Sequence, residues 1–290
     1  MTAKLNRLEY TTAGETFLDF CLWEYTPIAP FENKLRAASL LFHSLDVTGF
    51  DARVFELIKA IRDGFGVSNT VWGVKKLGND IAWEFYFYDY RRRERKRSIS
   101  TFLDIVHPFA DCEVPVNEDT PYFMFSIDID ERLVTGSRDL DEIHVYIGNT
   151  GSTVSSGIAY SVKTEGTRLE NFYFFFDAKK HEREIVGKVA CSAYFQDTQI
   201  DISQILWPEL RDCSVIVVAN KQNNDSVYFS RINVDQLIFF LRRMGYPDEM
   251  CRFVETHRPE LNHLLYDVGF DYRTEGNNVV ILKSGYYGIF

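Results

Sequence analysis

One supersecondary shape recurs along this chain: a short strand, a polar turn, a second strand rich in aromatics and, usually, a helix. The copies read WGVKKLGNDIAWEFYFYDY (72–90), AYSVKTEGTRLENFYFFFDA (159–178), SVIVVANKQNNDSVYFSRIN (214–233) and LYDVGFDYRTEGNNVVILKSG (265–285). A weaker fifth copy runs from PYFMFSIDID (121–130) to EIHVYIG (142–148). A repeated unit of this kind cannot bury its apolar face alone and must stack on its neighbours. Five hairpins make ten antiparallel strands, and a sheet that wide curls or closes. The expectation is an α+β fold: a closed barrel of ten antiparallel strands ringed by helices, with an interior that can hold a ligand.

The second strand of each copy tells its two faces apart. Successive side chains on a strand point to opposite sides. Trp83, Phe85 and Phe87 therefore share one face, and Glu84, Tyr86 and Tyr88 the other. Ile143, Val145 and Ile147 oppose Glu142, His144 and Tyr146; Phe172, Phe174 and Phe176 oppose Asn171, Tyr173 and Phe175; Val227 and Phe229 oppose Ser226, Tyr228 and Ser230. The greasy face belongs against helices. The face that mixes tyrosine with Glu, Asn, Ser and His belongs in a lumen, because binding cavities combine aromatic walls with a few polar groups.

Around the hairpins, Asp51 reads as an N-cap for a helix carrying Val54, Leu57, Ile58 and Ile61, which Gly64 and Gly66 stop. A helix is expected at 99–106, helical character at 179–211 is weaker, and Asn233 and Asp248 read as N-caps of two more helices. No linker or low-complexity segment divides the chain, so residues 1–290 read as one domain. The net charge of -10 argues against nucleic acid and anionic membranes as partners. The basic run Arg91, Arg92, Arg93, Arg95, Lys96, Arg97 lacks interleaved aromatics and reads as a solvated lead into the 99–106 helix. Five scattered cysteines form no C-x-x-C pair and fit a reduced, cytoplasmic protein. No apolar run approaches the length of a membrane span, and there is no Gly-rich phosphate loop, no G-x-S-x-G and no Asp-Asp-x-x-Asp motif.

Three segments, GIAYSVKTEGTRLENFYFFFDA, FSIDIDERLVTGSRDLDEIHVYIGN and VVILKSGYYGIF, resemble strand pairs of the soluble aromatic prenyltransferases, the bacterial enzymes that modify naphthalenes, phenazines and indoles in secondary metabolism. Their fold is the α-β-β-α repeat barrel called the PT barrel. The resemblance covers roughly residues 50–290 and extends more distantly to prenyltransferases of cyclic peptides. It implies a transferase that moves a dimethylallyl or geranyl group from its diphosphate to an indole- or phenol-type acceptor, as a monomer or weak homodimer.

The resemblance, for Asn171, Tyr173, Lys283, Tyr287 and Glu84, and the lumen-facing alternation, for the others, together suggest roles. Asn171, Tyr173, Lys283 and Lys76 would bind the diphosphate. Tyr86, Tyr160, Tyr228, Tyr287 and Trp72 would shield the allylic cation and stack on the acceptor. Glu84 and His144 would be the catalytic acid–base candidates, and Glu84 with Glu142 would hold Mg²⁺. Glu142 stands where the family has a lysine, Ser226 where it has an arginine, and Ile216 where it has a tyrosine. Lys163, Lys221, Arg231 and Arg273 are further cations that could supply the missing charge. The alternative reading is a barrel that binds a hydrophobic small molecule without chemistry.

The chemistry sets three demands. Charge developing on the leaving diphosphate must meet preorganised cations. The carbocation needs π faces and no water. The acceptor ring needs a weak base for its proton.

Overall fold

The structure, a computed structural model, describes residues 7–90, 95–149, 154–195 and 200–290. A small hairpin, β1 (Phe17–Leu18) and β2 (Glu24–Tyr25), precedes helices α1 (Ala38–Thr48) and α2 (Arg53–Phe65). Strands β3 (Thr70–Leu77) and β4 (Asp80–Tyr88) form the first repeat, followed by α3 (Ile99–Val106). The second is β5 (Tyr122–Ile129), the short α4 (Glu131–Val134) and β6 (Glu142–Gly148). Then come β7 (Ser155–Lys163), β8 (Gly166–Asp177) and α5 (Glu182–Ala190), and β9 (Val215–Lys221) with β10 (Asp225–Ile232). Helices α6 (Val234–Arg243), α7 (Asp248–Thr256) and α8 (Arg258–Leu261) lead to β11 (Tyr266–Glu275) and β12 (Asn278–Ile289).

Strands β3 to β12 follow one another around a closed antiparallel barrel, and β12 pairs back with β3 through Lys283↔Leu77 to Ile289↔Val71. The ten-stranded barrel expected from the repeats is the fold. The greasy faces of the second strands point outward: Phe85, Phe87, Phe125 and Phe229 are fully buried between the wall and the helices, together with Trp207, Phe240 and Phe270. Burying each such ring stabilises the fold by roughly 1.5–3 kcal/mol, so the core is the layer between barrel and helices.

Local signals set the helices. Asn233 caps α6, accepting from the Asp235 and Gln236 amides while Gln236 returns a bond to the Asn233 amide. Ser98 caps α3. Asp51 accepts from the Arg53 amide at 2.8 Å, although Ala52 is the residue at the cap position of α2. Asp248 is the first helical residue of α7 and Pro247 precedes it as the cap, a one-residue correction. The 179–211 stretch holds α5 and two single 3₁₀ turns.

Of the basic run, Arg91, Arg92 and Arg93 lie outside the described residues. Arg95 is fixed by the carbonyls of Glu118, Thr120 and Tyr122, with its guanidinium 3.8 Å from the Tyr122 ring centre. The five cysteines are unpaired by disulfides. Among the described residues no helix is long and apolar enough to cross a membrane.

Candidate functional site

The lumen is built in tiers. Each repeat contributes one tyrosine from its second strand: Tyr86 on β4, Tyr146 on β6, Tyr173 on β8, Tyr228 on β10 and Tyr287 on β12. Inward residues on alternate strands of a barrel stack in a layer. Here they close a ring: neighbouring ring centres are 6.5 Å apart for Tyr86–Tyr146, 6.0 Å for Tyr146–Tyr173, and 6.4 Å for Tyr173–Tyr228 and Tyr228–Tyr287. Tyr287–Tyr86, at 6.0 Å, completes the circuit.

Glycines on the intervening strands make room for it. A Cβ at Gly73 would sit 2.7 Å from Tyr287 Cε1, and one at Gly269 would collide with the Tyr228 ring. Burial pushes all five phenols up from their ordinary pKa, so they are neutral hydroxyls and π faces at physiological pH.

Below the ring lies a charged end of about 270 Å³. Lys221 Nζ donates to both oxygens of Asp271 at 3.0 and 2.9 Å, Ser226 Oγ donates to Asp271 at 2.6 Å, and Lys283 Nζ lies 3.6 Å away. Burial works against charge on Asp271, but Lys221 and Lys283 outweigh it and hold its carboxyl at about 2. Burial likewise opposes charge on Lys221, and Asp271 overcomes it, leaving the ammonium above its ordinary range.

Across the lumen Lys75 pairs with Glu84 and lies 3.2 Å from Asp128. Glu84 also accepts from Tyr86 OH at 2.7 Å and from Ser126 Oγ. Asn171 Nδ2 donates to Tyr173 OH at 3.0 Å. Lys75, Arg168, Lys221 and Lys283 face Glu84, Asp128, Glu170 and Asp271. Four cations against four carboxylates leave this end without net positive charge.

Beyond the ring lies an apolar end of about 100 Å³. Tyr88, Phe123, Met124, Phe175, Val215 and Val217 line it, and the loop between β1 and β2 closes over it. Phe20 on that loop stacks edge-on to both Tyr86 and Tyr287 at 5.1 Å.

Of the residues singled out by sequence, Glu84, His144, Asn171, Tyr173, Lys283, Tyr86, Tyr228 and Tyr287 line the lumen. Three do not. Trp72 faces outward and packs edge-on against Tyr286 with ring centres 5.8 Å apart. Tyr160 pairs with Val145, on the outer side of the wall, and lines a groove with Ile143 and Val162. Lys76 is also outward, donating to the Gly78 carbonyl at 2.5 Å; its neighbour Lys75 is the lumen lysine. A strand flips side at every residue, so choosing Lys76 over Lys75 selected the wrong face.

Of the other cations, Lys163 sits at the rim against Glu142, at 3.1 Å, Arg231 pairs with Asp19, and Arg273 pairs with Glu275. Sequence reasoning left out Lys75, Asp128, Glu170, Asp267 and Asp271. All but Glu170 lie on first strands, whose own period-two pattern carried the signal.

The metal expectation needs a correction. Glu84 has Lys75, Tyr86 and Ser126 on its oxygens and offers no open face to an ion. Glu142 instead meets His144 and Glu170, with one ligand atom of each within 4.8 Å of the others. His144 Nδ1 lies 2.9 Å from Glu170 and Nε2 lies 3.9 Å from Glu142. Two carboxylates at the mouth suit a hard cation that keeps waters and bridges phosphate oxygens, while the imidazole suits borderline metals better. No family model and no curated protein matches this chain.

Proposed function

We propose that the barrel is an aromatic prenyltransferase. The observation that carries this reading is the closed ring of five tyrosines between a charged end and an apolar end of one lumen. Prenyl transfer needs those three zones in that order.

The C–O bond of an allylic diphosphate breaks and its electron pair leaves with the diphosphate. The allylic cation then bonds a carbon of the acceptor ring, and that carbon gives up its proton to the released diphosphate. The diphosphate belongs at the charged end. Of the three lysines there, Lys283, 30% exposed and 3.6 Å from Asp271, is the one least committed to a carboxylate. Asn171 and Tyr173 present neutral donors beside it. The tyrosine faces stabilise the cation electrostatically and exclude water from it. Because the lining charges balance, the leaving group needs added positive charge. Glu142 and Glu170 could hold Mg²⁺, which when bound supplies that charge to the phosphate oxygens.

A second reading, a barrel that binds a hydrophobic molecule without chemistry, is favoured by the pairing of Lys75 and Lys221 with buried carboxylates. Incubation with dimethylallyl or geranyl diphosphate, a panel of indoles and phenols, and Mg²⁺ or EDTA separates the two. Products heavier by one prenyl group are expected, with turnover strongly reduced in Lys283→Ala. Acceptor binding with no product under any condition would replace the first reading with the second.

A further inference from the structure

At the apolar end one polar group is left unsatisfied. Asp267 on β11 pairs in register with Ser230 and Tyr287, whose side chains line the lumen, so its carboxyl points inward with theirs. It is 7% exposed. Its Oδ2 accepts from the Phe20 amide at 3.1 Å, and its Oδ1 has no hydrogen-bond partner among the described residues. The Ser230 hydroxyl lies beside the carboxyl and favours its charged form, while Oδ1 itself stays without a partner of hydrogen-bond geometry. A buried acceptor left open this way is expensive unless something else fills it.

The neighbouring carboxylate shows that the loop can satisfy such a group. Asp19 Oδ1 accepts from the amides of Cys21 and Trp23 at 2.9 Å each. Its Oδ2 takes the Arg231 guanidinium at 2.8 Å, from a residue held at φ +63° on a β-bulge. Arg231 is thus turned to Asp19 and not to Asp267. The cavity that Asp267 lines is otherwise walled mostly by aromatic and aliphatic side chains, among them Phe20, Tyr88, Val215, Val217 and Tyr287.

We propose that Asp267 anchors an aromatic ligand in the apolar half of the lumen, its Oδ1 accepting a hydrogen bond from a phenolic O–H or an indole-type N–H. This rests on reading the barrel as a site for an aromatic acceptor, and it adds the group by which that acceptor is recognised. A neutral donor suits the place better than an ammonium ion. The walls are apolar, and desolvating a cation there would offset much of what the pairing returns. Burial first, and the charge of Asp19 second, push the Asp267 carboxyl up to about 7. The group is therefore a stronger acceptor than an ordinary carboxylate and is ready to share a proton with a weakly acidic donor. The ionisable groups facing it are Asp19, Cys21 and Tyr25 from the covering segment, Cys213 beside β9, and Arg231 on β10.

The test uses two matched pairs of probes, indole against 1-methylindole and phenol against anisole, titrated into the full-length protein by calorimetry or saturation-transfer NMR. In the unaltered protein the donor-bearing member of each pair should bind roughly tenfold or more tighter, the range for a hydrogen bond to a charged group. In Asp267→Asn, whose amide oxygen can keep the Phe20 bond while its NH₂ meets the cavity, the preference should fall below about threefold. Equal affinity within the pairs, binding of neither member, or a preference that survives in Asp267→Asn would each overturn the proposal. Prenyl transfer is assayed separately. Donor preference without transfer keeps Asp267 in this role and removes the prenyltransferase reading; transfer without donor preference does the reverse.

Discussion

Asp267 and Asp271 sit on the same strand, four residues apart, and both face the lumen. Their environments are opposite. Asp271 meets Lys221, Lys283 and Ser226, and its carboxyl is held at about 2. Asp267 is as deeply buried, forms no ion pair of its own because Arg231 is turned to Asp19, and is pushed up to about 7. Nothing local to β11 separates them. The difference comes from what β9, β10 and β12 bring alongside at each level of the barrel. One end of the lumen is a preformed ion-pair network, and the other is an apolar chamber with one unfilled acceptor.

The strongest way to break this comparison is Lys221→Ala. Removing one partner of a buried pair strands the other charge, and the fold should lose about 3–5 kcal/mol in denaturant unfolding. Adding Asp271→Asn should recover part of that loss, because the stranded charge is then gone. A loss below 1 kcal/mol in the single variant would mean that water reaches this end freely and that the two ends do not differ as described.

The second test is the pH dependence of stability. For Asp267 the folded pKa, about 7, lies above the unfolded value. Its contribution is therefore full below about pH 4 and is lost as pH rises through 7. Asp271 runs the other way: its contribution is full above about pH 4 and is lost as pH falls toward 2. Asp267→Asn should be more stable than the unaltered protein at pH 8, by about 2–4 kcal/mol, with the gap closing by pH 4. A constant gap across that range would place the Asp267 carboxyl in an ordinary environment.

A third substitution sharpens the boundary between the ends. Gly269→Ala puts a methyl into the Tyr228 ring, and overpacking of this kind costs about 1–3 kcal/mol. The near-UV circular dichroism of the tyrosines should change with it. An unchanged spectrum and stability would show that Tyr228 is not held in the ring by β11. The smallest effect is expected from Tyr86→Phe, which removes one neutral donor from Glu84 while Lys75 and Ser126 remain. Thermal unfolding should report about 1 kcal/mol or less.

Much of this molecule was legible before its structure, and the limit is instructive. The alternation in AWEFYFY, EIHVYIG and NFYFFF assigned the faces of three second strands correctly, since period two is a local property of an extended chain. The same rule applied to TVWGVKKL would have put Lys75 inward with Gly73 and left Trp72 and Lys76 outside. Applied to YDVGFDY it would have exposed Asp267 and Asp271. Tyr160 falls to the same rule: in SGIAYSVK it shares the outer face with Ile158 and Val162, while Ala159 and Ser161 share the lumen face with Tyr146 and His144. The β-bulge there adds Glu170 on β8 without breaking the alternation of β7.

The sequence by itself determined the ten strands, the greasy outer face and the delivery of one lumen tyrosine by every repeat, because each follows from residue order within a single hairpin. Tertiary structure decided the rest: that the five tyrosines stand at one level and close a ring, that Lys75 meets Glu84 and Lys221 meets Asp271, and that Arg231 turns to Asp19 and leaves Asp267 open. Those outcomes depend on the stagger between strands and on closure of β12 against β3. Hydrogen-bond register between segments that lie, for β12 and β3, more than two hundred residues apart sets both, and no local pattern encodes it.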